Sequence, residues 1–163
     1  MVVVLGIDPG TATTGYGLVR EEGDALQAVA FGVIHTEPGV PLAQRLASLY
    51  AQLSALVHTH QPDAAAVEEL FFSRNVRTAM AVGQARGVAL LALAHAHIPV
   101  DEYTPRQVKQ AVAGYGNAAK DQVQEMVRLL LNLPDVPQPD DAADALAIAI
   151  CHLHTMRMKA FLT

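Results

Sequence analysis

A mixed three-layer α/β fold is what this sequence predicts, and three observations carry it. Apolar runs of strand length come first, Val2–Asp8, Tyr16–Arg20 and Ala25–His35, separated by Pro-, Gly- and acid-containing turns. Two further short apolar runs, Ala64–Glu68 and Ile98–Asp101, then alternate with segments whose apolar residues recur at helical spacing. The chain has 163 residues, of which 52% are hydrophobic, enough apolar material for one compact core. Residues 1–163 are therefore expected to form a single domain.

The first run, Val2-Val3-Val4-Leu5-Gly6-Ile7, delivers the carboxylate of Asp8 to its end, where Pro9 and Gly10 stop it. A charge at the exit of a buried strand costs free energy unless something positive meets it, so Asp8 reads as a ligand. The turn Glu21-Glu22-Gly23-Asp24 joins the next two strands and predicts an antiparallel meander. Leu42, Leu46, Leu49, Leu53, Leu56 and Val57 predict an amphipathic helix over 41–60, with Pro41 near its first turn and Pro62 beyond its end. Ala64–Glu68 repeats the opening pattern, an apolar strand ending in a carboxylate, with Glu69 beside it.

Asn75–Ala96, rich in Ala, Val and Leu, predicts a long helix, and Ile98–Asp101 a fifth strand. Thr104 followed by Pro105 has the form of an N-cap with Pro at the first helical position, opening a helix to about Ala113. Gly114–Asn117 breaks it, Ala118–Asn132 resumes a helix, and Leu133–Pro139, with three prolines, is a loop. The last helix opens at Asp140 and Asp141 and runs to about Met158.

Composition narrows the function. The uncharged run Gly87–Val100 is shorter than the roughly 20 apolar residues a membrane span needs, and no basic residue precedes the short first run. Neither a membrane association nor a signal peptide is expected. Cys151 is alone, which fits a reducing cytoplasm. The formal charge of −5 weighs against a polyanionic partner, yet seven of the 11 basic residues lie between Arg74 and Arg128, leaving room for a basic face or for ordinary solvated helix faces.

Carboxylates end three separate apolar elements: Asp8, Glu68 with Glu69, and Asp141 with Asp144. Asp141 and Asp144 are three apart at a helix start, so both point from one face. Helix capping explains an acid at 140 or 141 but not Asp144, a turn inside an Ala-rich helix. Clustered carboxylates repel one another, and hard divalent cations relieve that repulsion. Four acids suit two ions ~3.5–4 Å apart, one activating a water for in-line attack on a phosphodiester and the other stabilising the leaving oxygen.

The segments GIDPGTATTGYG (6–17), QPDAAAVEELFFSRN (61–75), GQARG (83–87), YTPRQVKQAV (103–112) and DDAADALAIAICH (140–152), in this order, resemble the RuvC Holliday-junction resolvases over nearly the whole chain. The resemblance implies an α/β ribonuclease H-like three-layer fold, a mixed five-stranded sheet with helices on both faces. It implies a homodimer that resolves four-way DNA junctions by paired, symmetric nicks, leaving 5′-phosphates, and that works alongside the RuvA and RuvB branch-migration proteins in recombination and repair. By motif position it makes Asp8, Glu68, Asp141 and Asp144 the catalytic, metal-binding acids, with two Mg²⁺ per site and Mn²⁺ as a substitute.

The same resemblance gives Asp141 the ligand role and makes Asp140 the N-cap. Strand alternation admits only one of Glu68 and Glu69 to the site. Phe71, in a loop with Phe72, Ser73 and Arg74, reads either as core or as a platform for an unpaired base, and the resemblance favours the base contact. Lys109 and Lys120 match basic positions that approach DNA, with Arg74, Arg77 and Arg106 as further phosphate contacts. Gly10, Gly15 and Gly17 are read as turn residues that also let the backbone approach DNA. The seven His residues show no metal-ligand spacing and read as surface or packing positions, and Cys151 as core.

Three rivals compete with this reading. The Asp-Pro-Gly-Thr opening also resembles the phosphate loop of actin-like ATPases, which need two such domains where this length provides one. A nuclease of the same fold acting on RNA and a junction-binding protein without catalysis are the others. The segments PRQVKQAV (105–112) and DAADALAIAI (141–150) disfavour the RNA-directed nuclease, and the presence of all four acids the non-catalytic binder.

Overall fold

In the computed structural model of the protein, which describes residues 1–10, 12–69 and 75–163, one five-stranded sheet carries helices on both faces. The strands are β1 (Val2–Asp8), β2 (Thr13–Glu22), β3 (Ala25–His35), β4 (Ala64–Glu68) and β5 (Val100–Tyr103). The helices are α1 (Leu42–His60), α2 (Val76–His95), α3 (Pro105–Ala113), α4 (Lys120–Leu130) and α5 (Asp140–Leu162). The sheet order is β3-β2-β1-β4-β5, with β1, β2 and β3 antiparallel in sequence and β4 and β5 parallel to β1.

Because successive side chains of a strand point to opposite faces, each strand of the sheet centre feeds two cores. Val4, Val19, Ala64 and Ala66 pack with α3, α4 and α5, while Leu5, Ile7, Leu18, Ala65 and Val67 pack with α1 and α2. Asp8 shares the parity of Val4, and Glu68 that of Ala64 and Ala66, so both acids emerge on the α5 face. Glu69 falls on the opposite parity and is exposed; its backbone N–H donates to the Tyr103 carbonyl at 2.8 Å.

α5 is apolar on all sides, with every residue from Ala142 to Leu153 except Asp144 buried. It lies against the sheet closely enough that a Cβ on Gly6 would stand 2.0 Å from the Ala145 carbonyl oxygen, and one on Gly15 2.0 Å from that of Asp141. Gly15 and Gly17 thus serve the approach of a helix to the sheet, where the sequence reading assigned them to turns and DNA. Gly10 does serve a turn, since a Cβ there would meet the Thr13 carbonyl oxygen at 2.1 Å.

Several element ends move from their sequence-based positions for local reasons. β5 begins at Val100 and not Ile98, because the Ile98 N–H is spent on the Leu93 carbonyl at 3.0 Å, closing the end of α2. β2 extends in both directions, to Thr13 and Glu22, by pairing with β1 and β3. α3 has the predicted cap: the Gln107 N–H donates to Thr104 Oγ1 at 3.1 Å and the Thr104 N–H to Gln107 Oε1 at 2.8 Å. Asp140 is not the cap of α5. Pro139 holds that position in extended conformation, and Asp140 is the first helical residue.

Candidate metal centre

Three elements bring carboxylates to one place. β1 and β4 run parallel, with Ile7 paired to Val67, so the next residues, Asp8 and Glu68, leave adjacent strands side by side. On the other flank of β1, Asp8 pairs with Gly15, the residue that admits the start of α5. Asp141 and Asp144 then project from the first turns of α5, and carboxylate oxygens of Asp8, Asp141 and Asp144 all lie within 4.8 Å of one another. Glu68 stands beside this trio, raising the pKa of Asp8 by its charge and feeling that of Asp144.

The electrostatics are those of a crowded anionic site. Burial pushes the Asp8 carboxyl up to about 8 from its ordinary 3.8, and the charges of Glu68, Asp144 and Asp141 add to the effect. Burial also raises Glu68, opposed by Lys109 and Lys120, and raises Asp144, opposed by Lys120. Lys120 itself is raised, chiefly by Asp144. Its Nζ lies 3.3 Å from Asp140 Oδ2 and 3.8 Å from Asp144 Oδ2.

A cleft of about 220 Å³ opens beside the acids, lined by Glu68, Lys109, Lys120 and Asp144 over an apolar floor that includes Val108 and Ile148. Hard oxygen donors this close, one of them holding its proton near neutral pH, fit a hard divalent cation, which relieves the repulsion the proton otherwise relieves.

Asp140 and Asp141 part company here. Asp141 joins the trio, and its Oδ2 accepts a hydrogen bond from Thr13 Oγ1 at 2.7 Å. Asp140 turns toward α4, pairing with Lys120 and accepting from Gln124 Nε2 at 3.2 Å.

The chain matches the family model described as crossover junction endodeoxyribonuclease RuvC over residues 4–152. The chain belongs to the RuvC family. It is 64% identical over 151 residues to the crossover junction endodeoxyribonuclease RuvC of Chloroflexus aggregans, covering 93% of this chain and 92% of that one. It is 58% identical over 153 residues to the RuvC of Pelotomaculum thermopropionicum, covering 94% and 93% respectively. Its fold is similar to the structure of T. thermophilus RuvC in complex with Holliday junction substrate, with TM-score 0.93, 42% identity, and 98% and 97% of the two chains covered. The α/β ribonuclease H-like expectation therefore holds, and neither the ATPase nor the RNA-directed rival is favoured.

Within this RuvC-family frame the remaining sequence-based positions divide. Lys109 and Lys120 come to the cleft. Arg106 shares α3 with Lys109 but borders a separate cavity with Tyr103, Cys151 and His154. Arg77 is exposed in the first turn of α2, its N–H held by Asn75 Oδ1 at 3.0 Å. Phe71 and Arg74, and with them Phe72, lie outside the described residues.

His152 is a packing residue: it is buried, its Nδ1 is 2.7 Å from the Tyr103 hydroxyl, and burial lowers its pKa. The Cys151 thiol is pushed up to about 11 by burial, so it is unreactive. Thr13 was missed by the sequence reading, which placed it in a loop; no local signal ties it to a residue 128 positions away. Among the described residues, no helix is long and apolar enough to cross a membrane.

Proposed function

We propose that this chain, as one ribonuclease H-like domain over residues 1–163, is a structure-specific endonuclease that resolves four-way DNA junctions. It acts by paired, symmetric nicks in opposed strands, leaving 5′-phosphates. The observation that carries the reading is the convergence of Asp8, Asp141 and Asp144 beside Glu68, next to a cleft that Glu68 and Asp144 line together with Lys109 and Lys120.

Asp8, Glu68, Asp141 and Asp144 hold the divalent ions, two Mg²⁺ per site, with Mn²⁺ as a substitute. Bound there, the ions supply a nucleophilic water of lowered pKa and stabilise the leaving 3′ oxygen. Lys109 and Lys120 meet the phosphate backbone in the cleft and offset the negative charge of the acids. Phe71, just beyond Glu68 in sequence, stacks on an unpaired base at the crossover. Arg74, Arg77 and Arg106 add backbone contacts.

A junction cut symmetrically needs two active sites, and α2 supplies a face for self-association. Val76, Met80 and Leu91 are 69%, 59% and 49% exposed, and a Cβ on Gly87 would meet nothing within 4 Å. At α-helical spacing these four positions fall on one stripe, an apolar face that a second copy of the chain covers in a homodimer. Action in the cytoplasm alongside RuvA and RuvB completes the reading.

The test is cleavage of a synthetic four-way junction and a matched linear duplex, with and without Mg²⁺, with the nicks mapped on each strand. Paired nicks on the junction alone, dependent on Mg²⁺, are the expected result. Cutting of the duplex at equal rate, or cutting in excess chelator, overturns it.

A further inference from the structure

We propose that Thr13 is a positioning residue of the metal centre, fixing which oxygen of Asp141 is presented to the divalent ions. The inference rests on the metal-site reading above and concerns a residue outside the four acids.

Thr13 opens β2, where it pairs with His35 of β3. Its parity along the strand is that of Gly15 and Gly17, so its side chain emerges on the face that α5 covers. There Oγ1 donates to Asp141 Oδ2 at 2.7 Å, across 128 residues of sequence. The hydroxyl is held from behind as well. The Thr13 carbonyl oxygen would stand 2.1 Å from a Cβ on Gly10, and the neighbouring Ala12 carbonyl accepts from the Thr36 N–H at 3.1 Å. Donor and acceptor are therefore both fixed to rigid elements, β2 and the first turn of α5.

An ionised carboxylate has two acceptor oxygens and free rotation about its final bond. A single donor on Oδ2 restrains that rotation and so sets which of the two oxygens is offered toward Asp8 and Asp144. Outer partners of this kind are worth about 10–100-fold in metal affinity.

The test is Mn²⁺ binding to the full chain without DNA, followed by electron paramagnetic resonance and calorimetry, with melting of the metal-free protein as a control on folding. Thr13→Val removes the hydroxyl while keeping the β-branched shape that suits a strand, and Thr13→Ala stands in for it should Val disturb the fold. Thr13→Ser returns the hydroxyl. The expected result is Mn²⁺ affinity lowered about 10–100-fold in Thr13→Val or Thr13→Ala, restored to within about threefold of wild type by Thr13→Ser, with metal-free melting temperatures unchanged. Wild-type Mn²⁺ affinity in both hydroxyl-less variants overturns the proposal, as does a Thr13→Ser variant as weak as Thr13→Ala. Asp8→Asn separates the two levels. If it too binds Mn²⁺ like wild type, the metal-site reading fails and Thr13 with it; if it alone loses binding, only the role of Thr13 falls.

Discussion

Gly15 and Asp141 are in contact through their backbones: a Cβ on Gly15 would lie 2.0 Å from the Asp141 carbonyl oxygen and 2.5 Å from its carbonyl carbon. Gly15 is also the β2 partner of Asp8. One missing side chain therefore sets the distance between the end of β1 and the start of α5, and with it the distance between two of the acids.

Gly15→Ala is accordingly expected to damage both fold and site. The obstructing atoms are main chain, so no rotamer change relieves the clash, and overpacking of this kind destabilises by about 1–3 kcal/mol. Since the first turn of α5 must move, the Mg²⁺-induced stabilisation should shrink as well. Urea unfolding with and without Mg²⁺ reads both effects, and an alanine variant with wild-type midpoints in both conditions would refute the packing argument.

The raised pKa of Asp8 gives a pH dependence whose sign is fixed by linkage. Its folded-state value of about 8 lies above the unfolded value near 3.8, so across that window the folded state binds more protons and stability falls as pH rises. His152 acts at the other end. Its pKa is lowered by burial, so its contribution is lost as pH falls below the ordinary imidazole value near 6.5. Melting curves of metal-free protein should therefore fall between pH 7 and 9 in wild type and stay flatter in Asp8→Asn, and saturating Mg²⁺ should flatten the wild-type curve. A wild-type curve parallel to that of Asp8→Asn counts against the buried, protonated acid. Junction cleavage by Asp8→Asn should drop at least about 100-fold, the upper range for losing a mere outer partner of a metal.

Lys120 should behave oppositely to Gly15, mattering to function and little to folding. Its side chain is 59% exposed and its pairs with Asp140 and Asp144 span 3.3 and 3.8 Å, so Lys120→Gln should change unfolding free energy by less than about 1 kcal/mol. If it meets a DNA phosphate, the variant should bind the junction more weakly at every sequence and lower the slope of log affinity against log salt by about 1. A variant with an unchanged salt slope would make Lys120 an intramolecular ion-pair residue only.

The strands that carry the acids were legible because each is a short apolar run stopped by a carboxylate. Val2–Asp8 and Ala64–Glu68 occur at their predicted bounds. Parity admitted only one of Glu68 and Glu69 to the site, and the resemblance named Glu68. Asp141, favoured over Asp140 by the resemblance, joins the acidic trio, whereas the capping role given to Asp140 fails because a proline holds the place before the first turn. The glycines were assigned to loops and DNA because nothing local reveals a helix arriving from a distant stretch of sequence. Thr13 was invisible for the same reason: its meaning lies in a partner 128 residues away.

The α2 stripe makes a prediction about assembly that is independent of the metal. Val76, Met80, Gly87 and Leu91 present apolar or bare surface along one face, while Ala85, Ala89, Ala92 and Leu93 are buried and anchor the helix to the sheet. Charge on the exposed stripe then leaves the fold intact but opposes burial against a second copy. Met80→Glu with Leu91→Glu is expected to convert a dimer to a monomer in sedimentation equilibrium, with an unchanged melting temperature at low protein concentration. Junction nicking by this variant should lose its symmetry, leaving single nicks where wild type makes pairs. A double variant that still sediments as a dimer would move the interface to another face, and a monomeric one that still makes paired nicks would break the link between assembly and symmetric cutting.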